Sequence, residues 1–90
     1  SDVYKRQEVD IIVLNSKKGV AGFFEVKWRN MDLRDAKRTL LELERKIENI
    51  KIKREKEYLG IIAKRISDKD RLKEEGLLVF DLDDFETTLH

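Results

Sequence analysis

Several residue types that often define a function are missing or scarce in this 90-residue sequence. There is no cysteine, which excludes disulfide bonds and zinc sites built on thiolates. The one histidine, His90, is the last residue, which argues against histidine-based catalysis. The sequence contains no proline, so no proline-rich linker divides it. The apolar run Ile11 to Leu14 is too short for a membrane span or the core of a signal peptide.

The residues that are present describe a small, charge-rich domain. Charged residues make up 43% of the chain and hydrophobic residues 40%, a balance typical of a soluble globular protein. The formal net charge is only +1, so overall charge selects no partner. We therefore expect one cytoplasmic domain with a single core and no membrane association.

The stretch from Glu8 to Trp28 predicts a β-hairpin. Its two halves, E-V-D-I-I-V-L and V-A-G-F-F-E-V-K-W, are apolar on both faces of a period-two pattern, which favours a sheet covered on both sides. A four-residue loop, Ser16–Gly19, would pair Asn15 with Val20. The hairpin register then follows from this one pair.

The remaining chain predicts a helix, a strand, a second helix and a fourth strand. Asp32 is the expected N-cap of a long amphipathic helix, with Asp35 in the capping-box position and Met31 as a hydrophobic staple. The expected elements are a first helix ending near Lys53, a strand Tyr58–Ile66, a short helix capped by Ser67 and running through Glu75, and a strand Leu77–Leu82. The fold class is therefore α/β with a mixed sheet, the third strand running parallel to the second.

Charged residues within the hairpin provide the best functional signal. The register places Asp10 opposite Glu25 on one face, where two carboxylates repel each other. A Mg²⁺ ion would relieve this repulsion, and the backbone carbonyl of Val26 is a third oxygen within reach. Lys27 lies on the same face, where it could activate a water or offset charge on a phosphate oxygen. Asp10, Glu25, Val26 and Lys27 thus form a candidate site for metal-dependent phosphodiester hydrolysis.

A simpler interpretation needs no metal. Glu8 would pair with Lys27, and Asp10 would be a charge at the strand edge that faces water. The E-x-K pattern itself carries little weight, because it occurs a second time at Glu44–Lys46, on the predicted helix, where we expect it to lie on the surface.

The hairpin residues also resemble a known family. An Asp strand followed by E-x-K on the partner strand, then a helix and a further strand, resembles the PD-(D/E)XK nuclease superfamily. More narrowly, E-V-D-I-I-V-L with F-F-E-V-K-W-R-N is similar to the uncharacterised nuclease-like domain at the C-terminus of archaeal-type P-loop ATPases. The resemblance implies a restriction-endonuclease-like core, metal-binding acids at Asp10 and Glu25, and a catalytic lysine at Lys27. Trp28 matches a recurrent position of that family.

The sequence also departs from that family. The superfamily core has a helix and a strand before the Asp-bearing strand, and here that segment is absent or replaced by Ser1–Gln7, which we expect to be a non-native leader. Residues 8–90 would then be a partial nuclease-like domain lacking its first helix and strand, inactive alone, with a P-loop ATPase domain upstream in the same protein. A non-catalytic module that binds DNA or docks on the ATPase is the alternative.

Three further features have two interpretations each. The stretch Lys51–Arg65 carries six basic and two acidic residues and could contact DNA phosphates or be a solvated loop. Trp28 could stack on a nucleotide, although packing against the helix is the expectation for a large aromatic residue. Asp81, Asp83 and Asp84 lack the spacing and glycine of a calcium loop, and we expect a helix cap with exposed acids.

Overall fold

The structure, a computed structural model, describes residues 8–88, with side chains as far as residue 86. The predicted leader, Ser1–Gln7, lies outside the described residues. The elements in chain order are β1 (Ile11–Asn15), β2 (Val20–Met31), α1 (Leu33–Ile47), β3 (Lys56–Ile66), α2 (Lys69–Glu74), β4 (Leu78–Phe80) and α3 (Leu82–Thr88). No helix in this part of the chain is long and apolar enough to cross a membrane.

The four strands form one mixed sheet in the order β1-β2-β3-β4. β1 and β2 are antiparallel, whereas β2 with β3 and β3 with β4 are parallel. A helix connects each parallel pair, because parallel neighbours need a crossover that returns the chain to the same end of the sheet. The α/β class and the mixed sheet predicted from the sequence are therefore confirmed.

The helix α1 begins as predicted but ends earlier. Asp32 is its N-cap, and the backbone N–H of Asp35 donates to Oδ1 of Asp32 at 2.8 Å. The helix ends at Ile47, so the predicted end near Lys53 is wrong. The reason is geometric: the first pair of β2 with β3 is Val20 with Lys56, so the chain must run back along the whole of β2 before β3 begins. Fifteen helical residues rise only about 22 Å, and a non-helical segment covers the remaining length.

The predicted cap of the short second helix is also wrong. Asp68, not Ser67, is the N-cap; it has a left-handed backbone with φ 58° and makes no side-chain capping bond. Gly76, with φ 87°, follows the helix as predicted, because a residue without Cβ tolerates this conformation. The fourth strand has three residues rather than six, since the backbone after Phe80 turns into α3.

The core lies on one face of the sheet. The helices α1 and α2 cover β2, β3 and β4 there with two clusters, whose buried members are Met31, Ala36, Leu40, Ile61, Ala63, Ile66, Leu72 and Val79 in one and Ala21, Phe23, Leu43 and Ile47 in the other. Residues on the opposite face, such as Ile11, Val13 and Phe80, are 39%, 58% and 42% exposed. The expectation of a sheet covered on both sides is therefore not met within the described residues.

Candidate functional site

The hairpin brings the sequence-predicted site residues together. Asn15 pairs with Val20 across the turn Ser16–Gly19, so the predicted register is confirmed. Asp10 lies one residue beyond the last pair of the ladder, and the same register continued by one step places it opposite Glu25. The backbone N–H of Val26 donates to Oδ2 of Asp10 at 2.8 Å. This bond fixes the Asp10 carboxylate beside the backbone of the E-V-K segment.

Glu25 is the buried member of the site. It follows Ala21 and Phe23 on the core-facing side of β2, and its side chain is 5% exposed. A carboxylate in such surroundings requires a positive partner or hydrogen bonds. Lys46 of α1 supplies one, because its Nζ donates to Oε1 of Glu25 at 2.9 Å. The expectation that Lys46 is a surface residue is therefore wrong; its side chain is only 23% exposed.

Lys27 lies two residues beyond Glu25 and is half-buried. Its positive charge acts on Asp35, the first-turn acid of α1. The pKa of Asp35 is lowered chiefly by a hydrogen bond from Arg29, whose guanidinium lies 2.9 Å away, with a smaller contribution from the charge of Lys27. Lys27 is thus placed at the N-terminal part of α1, on the side of the sheet that also holds Glu25.

The donor set fits Mg²⁺ in its chemistry, with one competitor. Two carboxylates and the Val26 carbonyl are oxygen ligands of the kind that this ion takes, together with several waters. Oδ2 of Asp10 and Oε1 of Glu25 already accept bonds from the protein, and each carboxylate has a second oxygen that these bonds do not use. Within the described part of the chain no three Asp, Glu, His or Cys side chains form a metal-holding group. A cation here would therefore have few protein ligands and would compete with Lys46.

A second charged cluster lies at the ends of β3 and β4. The predicted helix cap is present there, because the backbone N–H of Asp81, just before α3, donates to Oδ2 of Asp84 at 2.8 Å. Its buried ion pair was not predicted from the sequence. Asp81 is 1% exposed, so the expectation of an exposed acid is wrong for this residue. Its carboxylate accepts bonds from Nζ of Lys69 at 2.8 Å, from the backbone N–H of Ile66 at 2.9 Å and from that of Asp83 at 3.1 Å. Lys69 also reaches Asp84 at 3.1 Å. The available signal was the position of Asp81, directly after an apolar strand and before a helix.

These bonds change the pKa values of the cluster. Burial acts to raise the pKa of Asp81, but the hydrogen bonds and positive charge around it prevail, and its pKa is lowered. The pKa of Asp84 is lowered mainly by the backbone N–H of Asp81. Burial acts to lower the pKa of Lys69, and its two carboxylate partners outweigh burial and raise it. Because the charges of this cluster are compensated by one another and by backbone N–H groups, the cluster stabilises the fold.

The two features considered for nucleic-acid contact, Trp28 and the basic stretch Lys51–Arg65, differ in how far the structure leaves them available. Trp28 is 62% exposed, so the expected packing against the helix does not occur. Among the six basic residues in Lys51–Arg65, Arg54 and Arg65 form hydrogen bonds or ion pairs within the protein, and the Lys56 ammonium lies over the Tyr58 ring at 5.4 Å. Arg54 donates to three backbone carbonyls, and Arg65 pairs with Glu86 at 3.1 Å and Asp83 at 3.7 Å. The basic stretch is therefore a weaker phosphate-binding surface than its sequence indicates.

Comparisons with known proteins cover the region that contains the hairpin site. Over 82 residues the chain is 34% identical to an uncharacterised protein of Methanocaldococcus jannaschii, an alignment that covers 91% of this chain and 18% of that protein. No solved structure matches. Residues 3–39, which include Asp10, Glu25 and Lys27 but not Lys46, match the family model described as archaeal and bacterial proteins of unknown function. The chain is thus similar to a family found in archaea and bacteria and spans less than a fifth of this longer relative.

Proposed function

We propose that the chain is part of a nuclease-like domain, attached to a P-loop ATPase, that hydrolyses DNA phosphodiester bonds with Mg²⁺. The observation that carries the proposal is the hairpin geometry: the bond from the Val26 N–H to Asp10 at 2.8 Å holds that carboxylate beside the backbone of the strand that carries the buried Glu25. The four-stranded mixed sheet with α1 packed on β2 and β3 is in keeping with the restriction-endonuclease-like core that the sequence resembles.

Each residue has a stated role in this proposal. A bound Mg²⁺ would supply a Lewis acid and lower the pKa of a water ligand. Asp10, Glu25 and the Val26 carbonyl would hold it, and the half-buried Lys27 would orient the attacking water or offset the charge that develops on the phosphate. The length of the Methanocaldococcus protein supports a further domain, because it extends far beyond the aligned region.

A second candidate is favoured by the Glu25–Lys46 pair. A buried carboxylate with an ammonium group 2.9 Å away is already compensated without a metal. On this basis the chain would be a non-catalytic module that binds DNA or docks on its ATPase, and Asp10 and Glu25 would serve the fold. DNA binding would then persist when both acids are replaced and would weaken steeply with added salt.

The test is DNA cleavage by the longer protein that contains this chain, with Mg²⁺ or Mn²⁺. We expect Glu25→Gln and Lys27→Met to reduce the cleavage rate by about 100-fold or more, in the range of other electrostatic catalytic groups. Glu44→Gln is the matched control, because Glu44 is exposed and belongs to the second E-x-K pattern. Absence of metal-dependent cleavage would exclude the nuclease and leave the binding module. Full cleavage by the Glu25→Gln protein would exclude the hairpin as the site of cleavage.

A further inference from the structure

The contact between Glu25 and Lys46 joins the candidate site to the helix that covers it. Lys46 stands between two buried residues of α1, Leu43 and Ile47, which pack with Ala21 and Phe23 of β2. The helix backbone at this position is therefore fixed against the strand. The next core-facing residue of β2 after Phe23 is Glu25, and Lys46 reaches it at 2.9 Å. The pairing follows from the way α1 packs on β2.

The two partners differ in how firmly they are held. The Glu25 side chain is 5% exposed, and Glu25 pairs with Ile61 in the middle of the β2–β3 ladder. The Lys46 side chain is 23% exposed and consists of a flexible stem with a single charged end. Rotation of this stem would carry the ammonium group into water without any movement of the helix. The positive charge next to Glu25 is thus the mobile member of the pair.

We propose that Lys46 pairs with Glu25 in the metal-free protein and is displaced when a divalent cation binds Asp10 and Glu25. Lys46 is in this sense a positioning residue that keeps the buried carboxylate paired and ordered while no metal is present. The inference rests on the metal site of the proposed function but does not require that the site cleave DNA. It adds an exchange of partners at Glu25, in which the leaving partner, Lys46, lies on the covering helix and outside the hairpin.

If Lys46 is displaced by the cation, Lys46→Met should weaken the metal-free protein and strengthen its binding of metal. Without metal, the variant leaves Glu25 buried and unpaired, so the unfolding temperature should fall by about 10 °C. With metal, the cation no longer has to break an ion pair, so the dissociation constant for Mn²⁺ should become about tenfold smaller. A purely structural lysine would give the first effect and not the second.

The experiment uses the 90-residue chain, first freed of metal with a chelator. Thermal unfolding is followed by circular dichroism, and Mn²⁺ binding is measured by calorimetry and by the fluorescence of Trp28, the one tryptophan in the sequence. Lys46→Arg keeps the ion pair and should bind Mn²⁺ no more tightly than the unaltered chain. Lys37→Met is the matched control, because Lys37 lies on the same helix in an exposed pair with Glu75 at 3.4 Å. It should change neither quantity.

The outcomes separate this inference from the proposed function. Tighter Mn²⁺ binding by Lys46→Met, abolished by adding Glu25→Gln, supports the exchange even if the longer protein never cleaves DNA. Equal Mn²⁺ affinity of the Lys46→Met and unaltered chains overturns the exchange, even if the longer protein is an active nuclease. If Lys46→Met is too unstable to study without metal, recovery of its unfolding temperature by Mn²⁺, beyond the shift seen for Lys46→Arg, supports the exchange; no such recovery overturns it.

Discussion

Replacement of Lys69 by methionine should destabilise the protein strongly, because Lys69 is the ammonium partner of the buried Asp81. The Asp81 side chain is 1% exposed, and the Lys69 side chain is 17% exposed. Removal of one partner from a buried ion pair costs about 3–5 kcal/mol. Two backbone N–H groups, of Ile66 and Asp83, would still bind the Asp81 carboxylate. These remaining bonds reduce the expected loss in free energy of unfolding to about 2–3 kcal/mol.

The pH dependence of stability gives the prediction a second readout. The pKa values of Asp81 and Asp84 are lowered in the folded protein, so their stabilisation is complete above the ordinary value of 3.8 and is lost as the pH falls through the folded values. The pKa of Lys69 is raised, so its stabilisation is complete below 10.5 and is lost as the pH rises through the folded value. Stability from this cluster should therefore be flat from about pH 5 to pH 9.

Urea unfolding at pH 7 and at pH 3.5 would measure both effects. In Lys69→Met the free energy of unfolding should fall at pH 7, and the further loss on going to pH 3.5 should be smaller than in the unaltered protein. Lys73→Met is the control, since Lys73 is an exposed lysine at the other end of α2. A loss below about 0.5 kcal/mol in Lys69→Met, within the range of ordinary surface substitutions, would refute the reasoning.

Two further substitutions test the packing that supports the site. Gly60→Ala would place a Cβ 2.6 Å from the Phe24 ring and from a backbone oxygen, so urea unfolding should show a loss of about 2–3 kcal/mol in the free energy of unfolding. Gly22→Ala is the control and should lose less than about 1 kcal/mol, because its Cβ would come no closer than 3.2 Å to any atom, and that atom belongs to the movable Phe24 ring. Similar losses for the two glycines would contradict this account. Arg54→Met removes three hydrogen bonds to backbone carbonyls and should cost about 2 kcal/mol, whereas its exposed neighbour Lys53→Met should cost less than 0.5 kcal/mol; equal losses would show that the carbonyls find other partners.

Element order and hairpin register could be predicted because they depend on local signals. A period of two, a short loop and the position of Gly19 determine how β1 meets β2, and one correct pair fixes all the others. The N-cap at Asp32 was likewise visible, since capping involves residues three apart in sequence. These signals place Asp10 next to the E-V-K segment of β2 without any knowledge of the rest of the fold.

The end of α1 could not be predicted in the same way. Ile50 continues the spacing of the helical stripe, and both Ile50 and Ile52 pack against the core, but from a non-helical segment. The apolar spacing records burial and does not by itself distinguish a helix from an extended segment that turns the same side chains inward. Arg54 helps to decide the outcome, because its guanidinium donates to the carbonyls of Ile47, Ile50 and Ile52, at and just beyond the end of the helix.

The partner of Glu25 depends on contact between two layers, and this explains why Lys46 was overlooked. Sequence parity places Glu25 on the core side, where a carboxylate needs a cation. It does not say whether that cation is a metal or a side chain of the covering helix. Lys46 lies three residues after Leu43 and one before Ile47, at the border of the apolar stripe, so its position was compatible with burial. A charged residue at the border of a helix stripe should therefore be tested against every acid that parity places beneath the helix, before either residue is assigned to the surface or to a metal.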